Sequence, residues 1–248
     1  MGKVSMIMGS SKAGKTTSLR TLDSTKTIVF SPLSKGLPFD GSMRKYTVWN
    51  KETNPTGNLI RTSSSRAIVA WLKHISEKMP HITVAIVDDN TFVTAKELDR
   101  RRDEKSYEKF GDIAHDFLEL AEVANSLRDD LNVYILHHVT EIGDGILTPK
   151  SIKAATFGKM IDERLQGMES QFDIVFLAMK MIDDNNNISY KFKTRAVDAN
   201  IGTPMNMFDE EYIDNDLQMI DTRIRCYYSG DCEEKPVKVK DQKKTISA

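Results

Sequence analysis

The residues with the clearest chemical potential stand at positions 9 to 16, which read Gly-Ser-Ser-Lys-Ala-Gly-Lys-Thr. This is a complete G-x-x-x-x-G-K-[ST] pattern, in which glycines let the backbone N–H groups curl around phosphate oxygens. Lys15 is placed to reach the β- and γ-phosphates, and the Thr16 hydroxyl is placed to ligate Mg²⁺. We therefore expect a nucleoside triphosphate site. Its predicted contacts are Gly9, Ser10, Ser11, Lys12, Ala13, Gly14, Lys15, Thr16 and Thr17.

The flanking sequence fits the strand–loop–helix setting that this pattern requires. An apolar run of strand type, residues 4 to 8, precedes the loop, and residues 17 to 22 can continue as a helix. The N-terminus of such a helix would reinforce phosphate binding. The alternative, a glycine turn without a ligand, is disfavoured because all three fixed chemical positions are filled.

A second segment completes the expected site. Residues 84 to 87 are apolar and run directly into Asp88 and Asp89, the pattern of a buried strand that delivers a carboxylate to Mg²⁺. We predict that Asp88 is the metal-side residue, on a strand next to the loop. Asp89 either orients or deprotonates the attacking water, or it caps the following helix, and the sequence leaves both roles open.

Two further positions carry alternative interpretations. His137 and His138 end the next buried strand, where a polar residue in many P-loop ATPases senses the γ-phosphate. We take His138 as the catalytic candidate, although a histidine pair that merely closes a strand fits equally well. Lys193 and Arg195 end the last strand. They form an ordinary solvent face, or they project into a neighbouring subunit's nucleotide as arginine fingers do.

Length and composition bound the class of protein. The chain has 248 residues, 40% of them hydrophobic, and a net formal charge of −1. These values are typical of a globular protein without a general basic field, so any contact with nucleic acid has to be local. The longest apolar run, residues 174 to 179, is too short to cross a bilayer. We expect an intracellular protein with no membrane partner.

Strand-type runs alternate with helical stretches, which predicts an α/β fold with a mostly parallel sheet flanked by helices. The predicted strands cover residues 4–8, 27–30, 45–49, 81–87, 132–136, 172–179 and 188–193. The predicted helices after the first cover residues 65–79, 110–127 and 159–166, with a loop over 141–157. We expect one domain over residues 1–230. The lysine-rich residues 231–248 have almost no apolar anchors and are predicted to form a flexible tail.

The order of these motifs resembles the RecA-like ATPases encoded by tailed bacteriophages, a family grouped with AAA-type ATPases and linked to single-strand annealing recombination. The likeness covers roughly residues 3 to 210 in a consistent order. The glycine loop is common to a whole superfamily, whereas the later segments are more specific. The matching segments are residues 9–16, 86–89, 107–110, 127–130, 133–138, 156–163 and 203–208.

The resemblance implies a RecA-like P-loop core that hydrolyses ATP with Mg²⁺ in DNA recombination, annealing or replication, in the cytoplasm of an infected host. It implies single-stranded DNA as a partner, often beside a single-strand-binding protein. It also implies a homo-oligomer with the nucleotide at the subunit interface.

Two loops would turn basic residues toward the DNA, where they neutralise phosphates without reading sequence. The candidates are Arg100, Arg101, Arg102, Lys105 and Lys109 in one loop, and Lys150 and Lys153 in the other. Acidic residues are interleaved with the first group, so a salt-bridged surface helix is the favoured alternative there.

One departure from the family pattern concerns catalysis. RecA-like enzymes usually place a glutamate after the second strand, but residues 31 to 34 here read Ser-Pro-Leu-Ser, and no carboxylate follows before Asp40. Hydrolysis therefore relies on Asp89, or it is slow. Two other classes stay open. One is a P-loop small-molecule kinase whose lid is the arginine-rich segment 96–109, and the other is a non-hydrolysing module whose ATP state sets its affinity for a partner.

Overall fold

The computed structural model describes residues 3–143, 151–165, 167–183 and 185–231, and it shows an α/β fold in which helices flank a mostly parallel sheet. The strands are β1 Val4–Gly9, β2 Thr27–Ser31, β3 Leu59–Arg61, β4 Val84–Val87, β5 Asn132–Ile142, β6 Ser151–Ala154, β7 Ile174–Ile182, β8 Ile188–Lys193 and β9 Tyr212–Asp214. The helices are α1 Ser42–Lys45, α2 Ser65–Lys78, α3 Asn90–Arg100, α4 Glu108–Asn125, α5 Lys159–Leu165 and α6 Leu217–Ser229.

The strand order places the glycine loop near the middle of the sheet. Strands follow one another as β3-β2-β4-β5-β1-β7-β8-β9, and β6 pairs with β5 outside this path. The strands from β3 to β7 are parallel, and β6, β8 and β9 pair antiparallel. The carboxyl ends of β1, β4 and β5 therefore share one edge, which is where ligands of open α/β sheets bind.

The central strand β1 is covered on both faces, as its continuous apolar sequence predicts. Met6 faces the layer that contains Leu72 of α2, whereas Ile7 faces the opposite layer with Leu19 and Ile220. Helix α6 was not predicted from the sequence, yet it packs in the same cluster as the residues that follow the glycine loop. Helix α6 thus supports the residues that directly follow the glycine loop.

Most predicted elements are confirmed, with helices α2, α4 and α5 within a few residues of their expected bounds. The predicted strand over residues 45–49 is wrong. Helix α1 ends at Lys45, and Val48 makes only an isolated bridge to Leu59 of the true edge strand β3. Tyr46 explains the difference, because its fully buried hydroxyl donates to the Leu19 carbonyl and fixes this segment by side-chain packing.

Residues 141–157 were expected to be a loop, and this prediction is also wrong in part. Strand β5 runs on to Ile142, and β6 pairs with it in antiparallel register through Val139 and Ala154. Their mixed polar and exposed character hides the pairing from a hydrophobicity pattern. The predicted tail lies outside the described residues apart from Asp231. Within the described ranges, no helix combines the length and apolarity needed to cross a membrane.

Candidate phosphate-binding site

The glycine loop adopts a tight conformation that requires glycine at positions 9 and 14. It leaves the carboxyl end of β1 with Lys12 at φ 63° and Gly14 at φ 97°. A Cβ at Gly9 would lie 2.8 Å from the Ala178 carbonyl oxygen, and a Cβ at Gly14 would lie 2.9 Å from the Tyr190 ring. Glycine at 9 is thus required by close approach, and glycine at 14 by both space and backbone angle.

The helix predicted after the loop is present within one residue of its expected bounds, but it is a 3-10 helix and not an α-helix. Residues Thr16–Thr21 form a 3-10 helix, and its hydrogen bonds begin with the Ser18 N–H to the Gly14 and Lys15 carbonyls. A few residues of 3-10 helix align fewer peptide dipoles than an α-helix does. The predicted support from a helix N-terminus is therefore weak, and a bound phosphate would depend on the loop N–H groups and Lys15.

Lys15 is folded over the loop and held by neutral acceptors. Its Nζ donates to the carbonyls of Gly9 at 2.6 Å and Ser10 at 2.9 Å. Burial lowers the pKa of Lys15 to about 8, and the charges of Asp89 and Asp88 oppose this shift. A poorly solvated ammonium group of this kind gains strongly from an incoming phosphate oxygen.

Thr16 and Asp88 meet, as predicted, although their strands are not neighbours. Strand β5 lies between β1 and β4, yet Thr16 Oγ1 donates to Asp88 Oδ1 at 2.7 Å. Asp88 is fully buried, and its Oδ2 has no hydrogen-bond partner. Burial and the neighbouring charge of Asp89 raise the pKa of Asp88. The expectation of adjacent strands was wrong. The two side chains do meet, and their predicted role as Mg²⁺ ligands stays a prediction.

This pair fits a partial Mg²⁺ ligand set. A buried carboxylate oxygen without a partner is costly unless a cation compensates it, and Mg²⁺ prefers oxygen ligands. Among the described residues, no group of three or more His, Cys, Asp and Glu side chains is arranged to hold a metal ion. Mg²⁺ commonly takes one or two carboxylates and completes its shell with substrate phosphates and water. Thr16 and Asp88 would therefore hold it together with a nucleotide.

Asp89 does not cap helix α3 through its side chain. It occupies the N-cap position in a left-handed conformation, φ 49° and ψ 44°, without a side-chain capping bond. Its Oδ2 lies 2.8 Å from Lys35 Nζ, and its Oδ1 lies 3.5 Å from His138 Nε2. Burial alone would raise the pKa of Asp89, but its partners His138 and Lys35 outweigh burial and hold the pKa below its usual range. These two partners favour the ionised form of the Asp89 carboxylate.

The two histidines at the end of the buried part of β5 have different roles. His138 contacts Asp89, as described above. His137 is fully buried, with Nε2 donating to the Ala155 carbonyl at 2.7 Å and Nδ1 accepting from Asn90 Nδ2 at 3.2 Å. Burial lowers the pKa of His137 to about 4, so the ring is neutral. His137 therefore ties β5 to α3 and to the residue after β6, and His138 alone faces the candidate site.

Lys35 is a site residue that was not predicted from the sequence. It stands in the loop after β2, and Arg61 holds this loop by donating to the carbonyls of Leu33 and, at 2.7 Å, Lys35. Lys96 of α3 adds a bond to the Pro32 carbonyl at 2.5 Å. No motif marks Lys35. The one sequence feature that pointed to this segment was the absence of a carboxylate after β2. In the structure, Lys35 of the same segment contacts Asp89.

Arg195 does not join the site within one chain. Its Nη2 donates to the Asp209 carbonyl at 2.8 Å and its Nη1 to the Phe208 carbonyl at 3.3 Å. Lys193 is in register with Leu177, and β8 runs antiparallel to β7. Arg195 therefore follows toward the amino edge of the sheet, away from this chain's own glycine loop. A role in a neighbouring subunit stays a prediction.

The candidate DNA-contacting residues are mostly paired with acidic side chains. These pairs are Arg100 with Glu97 at 2.7 Å, Arg101 with Glu104 and Asp112 at 2.8 Å each, Arg102 with Asp99 at 3.5 Å, and Lys153 with Asp162. This favours the salt-bridged surface that the sequence left as the alternative. The exposed pairs of Arg100 and Arg102 are worth at most about 1 kcal/mol each, so nucleic acid phosphates can still compete for these two cations. Lys150 lies outside the described residues.

Comparison with known proteins adds no further support. No protein-family model matches the chain, and no curated protein matches it at a significant level. The resemblance to phage RecA-like ATPases therefore stays a prediction. The function has to be argued from the geometry of the site.

Proposed function

We propose that this chain is a Mg²⁺-dependent P-loop ATPase with a RecA-like core that acts in phage DNA recombination, annealing or replication. One observation carries the nucleotide part of the proposal. Thr16 Oγ1 donates to Asp88 Oδ1 at 2.7 Å, which joins a complete phosphate loop to a strand-end carboxylate 72 residues further along the chain. The two motifs are independent in the sequence, and their meeting at the carboxyl edge of the sheet is the arrangement that a Mg²⁺-nucleotide requires.

In this proposal the glycine loop wraps the triphosphate with its backbone N–H groups. Lys15 exchanges the carbonyls of Gly9 and Ser10 for oxygens of the β- and γ-phosphates, which are stronger, charged acceptors. Thr16 and Asp88 would hold Mg²⁺, which when bound would supply positive charge to offset the negative charge that develops on the phosphates during transfer. Nucleotide binding thus replaces the contacts between the buried Lys15 ammonium group and neutral carbonyls with contacts to charged phosphates.

Asp89 is the residue that orients the attacking water. The water oxygen bonds to the γ-phosphorus while the bond from that phosphorus to the β–γ bridging oxygen breaks, and ADP and inorganic phosphate result. A proton of the water passes to the Asp89 carboxylate. His138 stabilises and orients this carboxylate, because its Nε2 lies 3.5 Å from Oδ1, whereas Lys35 contacts Oδ2. Because such transition states are largely dissociative, positioning contributes more than basicity.

The DNA part of the proposal is supported by the resemblance, by the basic residues of segment 96–109 and by Lys153 of β6. The phosphates of single-stranded DNA would replace the acidic side chains that now pair with Arg100, Arg101 and Arg102. A single-strand-binding protein is a further candidate partner. In a homo-oligomer with shared sites, Arg195 would act on the neighbouring subunit's nucleotide.

A second candidate function, an ATP-dependent binding switch with little turnover, is favoured by one specific observation. Lys35 Nζ lies 2.8 Å from the very carboxylate that would act on the water. While this pair persists, Asp89 is less able to accept a proton. No specific observation in the described residues favours the small-molecule kinase.

Phosphate release from ATP, measured with and without single-stranded DNA, separates these functions. We expect Mg²⁺-dependent turnover that DNA stimulates and that Lys15→Ala abolishes, because several kcal/mol of phosphate stabilisation is lost. Tight Mg²⁺-ATP binding without turnover would favour the switch. Full ATPase activity in the Lys15→Ala variant would refute the nucleotide site.

A further inference from the structure

We propose that Lys35 is a second phosphate-binding cation, which exchanges its ion pair with Asp89 for an oxygen of the terminal phosphoryl group of a bound nucleoside triphosphate. Through this residue of the loop after β2, the chain would distinguish a triphosphate from a diphosphate. This inference rests on the proposed nucleotide site and adds to it a discriminating residue.

The Lys35–Asp89 pair is asymmetric in a way that suits exchange. The side chain of Lys35 is 57% exposed, whereas that of Asp89 is 5% exposed. The ammonium group therefore reaches the carboxylate from the open side and stays accessible to a ligand. Asp89 keeps a second partner, His138 Nε2 at 3.5 Å, so departure of Lys35 does not leave the buried carboxylate alone.

Lys35 also lies near the other cation of the site. Its charge interacts with those of Lys15 and Asp88 as well as with that of Asp89. Two ammonium groups and two carboxylates thus converge where the proposed triphosphate would end. A polyanion that enters with Mg²⁺ adds several negative charges at this point, and the cation that is most free to reorient is the exposed Lys35.

The backbone of the loop is fixed, so that the exchange is a side-chain movement. Arg61 holds the carbonyls of Leu33 and Lys35, and Lys96 holds that of Pro32. The flexible four-carbon stem of lysine, with its three rotatable donors, can turn without moving this backbone. The Lys35 side chain can therefore leave Asp89 while these backbone hydrogen bonds stay in place.

The consequence is selectivity for the terminal phosphoryl group. ADP offers no oxygen at that position, so Lys35 should leave its affinity almost unchanged. A charge-assisted hydrogen bond to a triphosphate, offset by the loss of the Asp89 pair, should raise triphosphate affinity about tenfold. Replacement of Asp89 by asparagine releases Lys35 without removing it, and should strengthen triphosphate binding.

The test is isothermal titration calorimetry on the wild-type protein, Lys35→Ala and Asp89→Asn. Each protein is titrated once with Mg²⁺-ADP and once with the Mg²⁺ complex of a non-hydrolysable ATP analogue. Lys26→Ala is a matched control, because its side chain is also exposed, at 61%, and lies 4.0 Å from a carboxylate, that of Asp23. Lys26 precedes β2, whereas Lys35 follows it. We expect Lys35→Ala to lose about tenfold in affinity for the analogue and less than twofold for ADP. We expect Lys26→Ala to match wild type for both.

Three outcomes decide the matter. An equal effect of Lys35→Ala on both nucleotides, or no effect on either, overturns the role of Lys35 while leaving the nucleotide site intact. Binding of neither nucleotide by the folded wild-type protein overturns the proposed function and this inference with it. Weaker analogue binding by Asp89→Asn also contradicts the exchange, because freeing Lys35 should have the opposite effect.

Discussion

Asn215 Nδ2 donates to the carbonyl of Gly14 at 3.2 Å, across 201 residues of sequence. Asn215 is buried, and its Oδ1 accepts from Arg20 Nη1 at 2.8 Å. The side chain thus bridges the glycine loop and the 3-10 helix that follows it. Together with the Tyr190 ring, which lies against Gly14, it makes the C-terminal part of the chain a support for the phosphate site.

Asn215→Ala should weaken Mg²⁺-nucleotide binding several-fold and lower the free energy of unfolding by about 1–2 kcal/mol, because the Gly14 carbonyl and Arg20 lose their buried partner. Urea unfolding and nucleotide titration check the two effects. Asn125→Ala is the control, since this exposed asparagine also makes one side-chain bond to a backbone carbonyl, that of Ala121 at 3.1 Å. Unchanged nucleotide affinity in Asn215→Ala would show that the loop holds its shape alone.

Gly14→Ala should abolish nucleotide binding and destabilise the fold by about 1–3 kcal/mol, since it combines a positive φ with a clash. The Cβ would lie 2.9 Å from the Tyr190 ring. Gly41→Ala separates the two causes, because Gly41 has φ 69° and nothing within 4 Å of its Cβ position. Thermal unfolding of both variants measures the difference. If the two lose equal stability, the Tyr190 contact contributes nothing.

Stability should fall on acidification because His137 is buried in its neutral form. Its pKa is lowered from 6.5 to about 4, so the unfolded chain takes up a proton first as the pH drops below 6.5. The loss is complete only below pH 4, and between pH 7.5 and pH 5 it amounts to roughly 2 kcal/mol.

Urea unfolding at these two pH values isolates this contribution when wild type is compared with His137→Gln. The variant lacks the titrating ring, so its stability should change with pH by roughly 2 kcal/mol less than that of wild type. His115→Gln, which replaces an exposed histidine, should follow wild type. Parallel pH dependences for wild type and His137→Gln would contradict the buried neutral ring.

Single-stranded DNA affinity should fall steeply with salt, because phosphate contacts release counterions with a slope of about −0.7 per contact on a logarithmic scale. Joint replacement of Arg100, Arg101 and Arg102 by alanine should reduce that slope. Fluorescence anisotropy at several salt concentrations measures it. A flat salt response in wild type, or an unchanged slope in the triple variant, would rule out this segment as the DNA contact.

The parts of the site that the sequence predicts are those encoded in short contiguous patterns. Lys15 and Thr16 belong to an eight-residue motif, and Asp88 follows an apolar strand directly. Lys35 and Asn215 reach the same site through loops whose paths are set by tertiary contacts, such as the hydrogen bonds from Arg61 and Lys96. No local pattern records such contacts, so both residues became visible only in the folded chain.

The same distinction holds for the fold. Parallel strands that are buried on both faces are continuous apolar runs, and those of four or more residues were predicted. The three-residue parallel strand β3 was not. Helix α6 was not, because its buried face includes Asp221, which accepts hydrogen bonds from Tyr134 and Asn132 at 2.8 Å each. A buried carboxylate disguises the apolar stripe of a helix, and only its distant partners explain its position.

The proposed function depends on the claim that Thr16 and Asp88 hold Mg²⁺ on a triphosphate that Lys15 also binds. The most direct measurement is titration of a non-hydrolysable ATP analogue, with and without Mg²⁺, into wild type, Lys15→Ala and Asp88→Asn. We predict Mg²⁺-dependent binding by wild type, little binding by Lys15→Ala, and binding by Asp88→Asn that no longer responds to Mg²⁺. Equal affinities in all three folded proteins, with or without Mg²⁺, would contradict the claim.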